Sequence, residues 1–345
     1  MTFKFGSILS VLTILLMLAG CNNAAQQELT IVTWGGSYQA AQEKAFFEPF
    51  EKENNVKIRI ESYSGDIAKV KAMVESGEVT WDIVDVEGPI LLRGISEGLY
   101  EPIDMSQMPL NDLMPEAVND HGIAVIFYST VLGYNTEHYA DGGVPQSWAE
   151  FWDVENFPGP RSLRNWPMAN LEFALMADGV APENLYPLDI DRAFASLDKI
   201  KPHIDVWWEA GEQPPQLLSS GEVVLASGFN GRIFNAKKDG KPVAEMWNGG
   251  ILDADWWVVV KGSKNKDLAM KFIAFASQAE QQQEMPKHIS YGPVSIKANA
   301  ELTADLAKDL PTYPEHLPNQ VFINGEWWDE NFDAVMERWQ QWLLE

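Results

Sequence analysis

The chain reads as an α/β protein of two lobes joined without a linker, and three observations carry that reading. It has 345 residues, which at roughly 150 residues per domain suits two domains, each with enough chain to bury a core. From residue 29 its apolar pattern runs strand, helix, strand, helix, and the second half returns to the same style. That alternation marks helices laid on a largely parallel sheet. No Gly/Ser-rich or charged tract divides the chain, so the lobes are expected to be connected by strands that cross between them.

The first elements follow from local pattern. Leu29 to Trp34 predicts a strand, and Gly35-Gly36-Ser37 can turn the chain and cap a helix. Helical spacing covers Ala41 to Glu53, and Val56 to Ile60 alternates apolar and charged residues as a strand does. Ile67, Val70 and Val74 suit one helix face, with Gly77 placed to terminate it. Trp81 to Val86 predicts the next strand. The segment Val144 to Pro187 is rich in Pro, Trp and Asn and reads as irregular. Ile190, Ala193, Phe194, Leu197 and Ile200 form a helical stripe, which Asp189 is placed to cap. Glu222 to Ser227 predicts a short strand, and Trp256 to Val260 one buried on both faces. Leu268, Phe272, Phe275, Ala276 and Ala279 predict a helix, and Phe332, Val335, Met336, Trp339 and Leu343 a closing amphipathic one.

Before these elements, Lys4 is the only charged residue ahead of Glu28, and Ile8 to Leu18 is an apolar run. That run is shorter than the about 20 residues of an ordinary membrane-spanning helix and has the layout of a secretory signal. Leu18-Ala19-Gly20-Cys21 resembles the lipobox of bacterial lipoproteins. The resemblance implies a leader over 1–20, lipidation at Cys21, a tether over 21–27, and a body held to a membrane by lipid on the periplasmic or exterior side of the cell envelope.

Composition removes several classes of function. A hydrophobic content of 46% excludes wholesale disorder, and one cysteine cannot form an internal disulfide or a multi-cysteine metal site. A formal charge of −25 disfavours nucleic acid, whose affinity comes from lysine and arginine on phosphates. The chain has no Gly-x-Ser-x-Gly elbow, His-Glu-x-x-His or phosphate loop. Its five histidines lack i, i+4 partners, and Asp189-x-Asp191 and Asp253-x-Asp255 are acid pairs of a kind that 50 acidic residues produce by chance. Together these absences favour a protein that binds over an enzyme, with neither cofactor nor resident metal.

Seven stretches, in order, carry a resemblance to a family. They are Leu29-Thr-Ile-Val-Thr-Trp34-Gly-Gly-Ser-Tyr38, Trp81-Asp-Ile-Val-Asp-Val86, Leu132-Gly-Tyr-Asn135, Ser147-Trp148-Ala-Glu-Phe-Trp152-Asp153, Phe229-Asn230-Gly231, Gly249 through Asp255, and Tyr291-Gly292-Pro293. They resemble the extracellular solute-binding proteins of ABC transporters, in the spermidine/putrescine-binding branch, over nearly the whole chain after the leader. The resemblance implies a type II periplasmic-binding-protein-like fold. One lobe would comprise 28–131 plus 256–306 and the other 132–255 plus 307–345, the two closing on a ligand. It also implies a monomer that delivers a small cationic amine to ABC permease transmembrane subunits.

In that family context Trp34, Phe229 and Tyr291 would supply aromatic faces for an ammonium and Asp255 its carboxylate, with Tyr38 and Trp166 completing the candidate set. The sequence departs from the polyamine binders in two places. No acid lies between Arg161 and Asn170, where that branch has two, and Glu87 stands where it has a small hydroxyl residue. Arg164 and Arg232 lie close to pocket segments and suit a ligand carboxylate. A cleft with Asp255 or Glu87 at one end and an arginine at the other would take a zwitterionic ω-amino acid. Polyamine leads on the resemblance alone, with the ω-amino acid beside it. A ferric-ion receptor, which would present adjacent tyrosines, and a secreted two-lobed hydrolase rank behind.

Overall fold

The structure, a computed structural model, describes residues 26–65 and 67–345; the leader, Cys21 and most of the tether lie outside the described residues. The chain opens with strand β1 (Gln27–Thr33), helix α1 (Gly36–Gln42), a π-helical turn (Glu43–Phe47) and α2 (Glu48–Asn54). Next come β2 (Val56–Ser62), α3 (Ala68–Ser76), β3 (Ile83–Glu87) and α4 (Gly88–Ser96). Gly77 ends α3 at φ +72°, where only glycine escapes a Cβ clash. The helix read from Ala41 to Glu53 is thus three joined pieces that begin five residues earlier, at Gly36.

A short β4 (Val118–Asn119) leads into β5 (Gly122–Asn135). Then follow α5 (Trp148–Trp152), β6 (Arg161–Arg164), α6 (Asn170–Ala177), α7 (Ile190–Ile200), β7 (Ile204–Trp208) and α8 (Gln213–Ser220). The segment 144–187 therefore holds regular structure where an irregular stretch was expected. Its strand β6 is hidden in the sequence by charged ends. Arg161 is buried nonetheless, because its guanidinium donates to the carbonyls of Phe151, Gly159 and Phe157. Asp189 caps α7, accepting from Arg192 N at 3.1 Å.

Beyond β8 (Leu225–Phe229) and α9 (Asn230–Lys238) runs β9 (Val243–Val259). The strand expected over Trp256–Val260 is only the end of this 17-residue strand. Helices α10 (Lys266–Ala276) and α11 (Ala279–His288), β10 (Gly292–Pro293), α12 (Ile296–Glu301), α13 (Ala304–Ala307), β11 (Gln320–Phe322) and α14 (Gly325–Leu344) complete the chain. The break at Ser277–Gln278 separates Ala279 from the stripe it was read with.

All of the strands belong to one sheet, in the order β2-β1-β3-β9-β5-β8-β6-β7, with β4 and β10 paired to β5 and β11 to β9. β1 is parallel to β2 and β3, and β6 is parallel to β7 and β8. Between these groups lie β9 and β5, antiparallel to each other. Both strands run through, pairing with β3 over Asp255–Val259 and with β8 over Thr130–Tyr134. Their registers shift between Ala124 and Ile126 and between Thr130 and Leu132, the bends that let one strand serve two groups. Helix α14 ties the groups together from outside. Arg93 of α4 pairs with Asp333 at 2.6 Å, Trp328 Nε1 donates to Glu172 of α6 at 2.8 Å, and Trp339 and Trp342 pack on Phe194 and Trp207.

Candidate functional site

Ligands of open α/β sheets bind beyond the carboxyl ends of the strands. Here those ends converge on one cavity of about 90 Å³. Trp34 follows β1, Tyr63 and Ser64 follow β2, Glu87 ends β3, Arg164 ends β6, Glu209 to Gly211 follow β7 and Phe229 ends β8. Tyr38 from α1, Tyr128 and Asp255 from the two long strands, Arg232 from α9 and Tyr291 complete the wall.

The aromatic part is a chain of edge contacts. Tyr38 meets Tyr291 at 5.4 Å, Tyr291 meets Tyr128 at 6.2 Å, and Tyr128 meets Phe229 at 5.4 Å. Trp34 lies 4.9 Å from Tyr63. The run Phe229-Asn230-Gly231 has a plain structural logic. Asn230 accepts from Ser129 N at 2.9 Å and donates to Ser290 O at 2.6 Å, fixing β5 to the segment that bears Tyr291. A Cβ at Gly231 would come within 2.5 Å of the Tyr291 ring, so only glycine leaves that ring its place.

The acids crowd one face of the sheet. Asp85 and Glu87 alternate along β3, and Glu87 stands directly opposite Asp255 on β9. Like charges so placed repel. Asp85 Oδ2 accepts from Gln42 at 2.6 Å, while burial pushes its carboxyl up to about 7. Asp253 is also pushed up to about 7, by burial and then by the charge of Glu87, although Tyr128 donates to it at 3.3 Å. Burial, then Asp85, Glu87 and Asp253, raise Asp255 well above the usual carboxylate range, against the pull of Arg232. Its Oδ1 is buried without a hydrogen-bond partner among the described residues.

Two arginines answer these acids. Arg164 Nη1 donates to Glu87 Oε1 at 2.8 Å, with both side chains largely buried. Arg232 Nη1 donates to Glu212 Oε1 at 2.8 Å, but its Nε is buried with no partner among the described residues. Both guanidiniums lie over Phe229, at 5.3 Å and 6.0 Å from the ring centre, a favourable cation–π arrangement. Glu212 in turn accepts from Ser37 N and Ser37 Oγ, each at 2.6 Å. Burial would raise its carboxyl, but Arg232 and Ser37 together hold it below the usual glutamate range.

Eight candidates from sequence therefore meet at this cavity: Trp34, Tyr38, Glu87, Arg164, Phe229, Arg232, Asp255 and Tyr291. Trp166 does not line it. The chain turns as β6 ends, with Asn170 donating to the carbonyls of Arg164 and Trp166, and the Trp166 ring packs 5.7 Å from Phe332 of α14. Of the acids and arginines expected at opposite ends, Glu87 and Arg164 are instead paired directly. Sequence reasoning missed Tyr63, Ser64, Tyr128 and Glu209 to Gly211. Tyr63 and Glu209 were findable as the residues just past parallel strands; Tyr128, midway along a strand buried on both faces, gave no signal.

The pattern of the bacterial extracellular solute-binding protein family matches residues 45–315. The chain is 43% identical over 333 residues to a gamma-aminobutyric acid-binding protein of Pseudomonas aeruginosa, covering 95% of this chain and 94% of that one. It is 26% identical over 297 residues to a spermidine/putrescine-binding periplasmic protein of Salmonella typhimurium, covering 83% of each. Its fold superposes on the crystal structure of an ABC transporter substrate-binding protein from Bradyrhizobium japonicum with a TM-score of 0.86, 39% identity, and coverage of 92% of this chain and 99% of that one.

Proposed function

From the premise that this chain belongs to the bacterial extracellular solute-binding protein family, we propose that it captures a zwitterionic ω-amino acid of about the size of 4-aminobutyrate. The protein is the substrate-binding component of an ABC import system, acting on the periplasmic side. One observation carries the choice of ligand. The cavity presents a buried carboxylate oxygen without a donor, Asp255 Oδ1, and a buried guanidinium nitrogen without an acceptor, Arg232 Nε. A molecule with an ammonium at one end and a carboxylate at the other satisfies both. Unmet buried polar groups of this kind cost roughly 1–3 kcal/mol each, so their pairing favours binding.

The cavity's size supports a compact ligand. At roughly 10–15 Å³ per water-sized position it offers about six to nine such positions. The aromatic ring faces would flank the ammonium and the short alkyl chain.

A specific observation also favours an α,ω-diamine such as putrescine. Three acids (Glu87, Glu209 and Asp255) line the cavity against two arginines, with Asp85 and Asp253 buried close enough to act on Asp255. Isothermal titration of 4-aminobutyrate, putrescine and spermidine against the purified protein separates the readings. Tightest binding of 4-aminobutyrate supports the first; tighter binding of a diamine, with 4-aminobutyrate inert, overturns it in favour of the second.

Cys21 carries the lipid that tethers the protein, the two lobes at 28–131 plus 256–306 and 132–255 plus 307–345 close as a monomer, and the chain catalyses nothing. Incorporation of labelled fatty acid into the wild type, lost in Cys21→Ala, tests the anchor.

A further inference from the structure

We infer that Arg232, braced from outside by the bridge between Glu212 and Ser37, is the end wall of the ligand cavity and that this brace sets the length of ligand the protein accepts; the inference rests on the small-amine reading above. Two spaces meet at Arg232. On one side is the cavity of about 90 Å³, and on the other an outer cleft of about 430 Å³ lined by Ser37, Glu212, Pro215, Gln216 and Asn235. Arg232 lines both spaces. Glu212 and Ser37 line only the outer cleft, so the partition is the Arg232 side chain with the Glu212 carboxylate behind it. Glu212 Oε1 gathers Ser37 N, Ser37 Oγ and Arg232 Nη1 at 2.6, 2.6 and 2.8 Å.

The approach of these groups depends on Gly36, at φ +63°, where a Cβ would collide with Glu212 Oε1 and lie 2.7 Å from Arg232 Nη1. Because Glu212 holds Arg232 at the wall, the ligand end that meets Arg232 is the end that an added methylene would drive into the partition. A site that fits its ligand to the methylene discriminates by about 10–200-fold. Without the Glu212 side chain the same end would run on into the outer cleft, whose lining can solvate a polar terminus.

The experiment measures affinities of two length series, 4-aminobutyrate, 5-aminopentanoate and 6-aminohexanoate, and putrescine with cadaverine, for wild type, Glu212→Ala and Glu212→Gln. The wild type is expected to lose at least about tenfold per added methylene. In Glu212→Ala the ratio of long-ligand to short-ligand affinity rises at least about tenfold. Glu212→Gln, which keeps the bulk and an oxygen for Ser37, retains the wild-type order. Ser37→Ala, which deletes one bond and leaves the backbone, shifts the ratio the same way by less, and stands in if Glu212→Ala does not fold. A merely structural role for Glu212 would weaken the whole series equally, and that result, or an unchanged order in Glu212→Ala, overturns the inference while leaving the functional reading intact. A wild type that binds no member of either series overturns both.

Discussion

Glu87 and Asp255 face each other across the antiparallel pair of β3 and β9, two carboxylates in register inside the cavity wall. Arg164 answers Glu87 from the far group of strands. Nothing among the described residues answers Asp255 Oδ1. An arrangement that stores one unanswered anion is poor for stability and suited to capturing a cation.

Replacing Asp255 by Asn keeps the shape and removes that anion. Ligand affinity is expected to fall by about 10- to 100-fold, the worth of a charge-assisted hydrogen bond of roughly 1.5–3 kcal/mol. The unliganded variant should melt no lower than wild type at pH 8, since repulsion has been relieved. Titration calorimetry and a thermal melt read the two effects; unchanged affinity would remove Asp255 from the site.

Acidity gives a second signature. Asp85 and Asp253 titrate near 7 and Asp255 higher than usual, each chiefly because it is buried. These carboxyls hold protons more tightly folded than unfolded. The stability they contribute is therefore complete below about pH 4 and is lost as pH rises, through about 7 for Asp85 and Asp253. An ammonium binds best to the ionised acid, so affinity should rise above about pH 4 as Asp255, held well above the usual carboxylate range, ionises, by at most about tenfold per unit if one proton leaves. Melting curves and calorimetry across that range check both signs, and affinity that falls with pH contradicts the proposal.

Arg232 distinguishes the two ligand classes. Arg232→Gln should weaken 4-aminobutyrate by at least about tenfold, while putrescine, which has no carboxylate, is unaffected or gains. Parallel loss of both ligands would mean that the arginine serves the fold alone.

Trp166 supplies the contrast. Its ring packs on Phe332 and under the Arg164 guanidinium, one step outside the cavity lining. Trp166→Phe should leave affinity within about twofold, whereas Trp166→Ala should cost stability, by less than the about 3–5 kcal/mol of a fully buried tryptophan. A specific loss of affinity in the phenylalanine variant would return this residue to the site.

Much of this was legible in the sequence because it depends on local rules. The alternation from Leu29 to Val86 gave β1 to β3 and the helices between them, and Gly77 and Asp189 stand at the helix ends they were read to mark. Strand β6 was not legible. Arg161 looks like a surface residue until three backbone carbonyls, brought in by folding, satisfy its guanidinium. Within the site the residue types were legible and the pairing was not. Residues 87 and 164 are far apart in the chain, and only the sheet order brings Glu87 and Arg164 together. Trp166 shows the converse. It sits two residues from a site arginine, and a turn at the strand end lays it, half-buried, against Phe332.

The most direct test is a crystal structure of the protein grown with 4-aminobutyrate. The account expects the ligand in the cavity between Trp34 and Phe229, its ammonium about 3 Å from Asp255 Oδ1 and its carboxylate within the same distance of Arg232 Nε. Density elsewhere, or a ligand whose ammonium avoids Asp255, would contradict it.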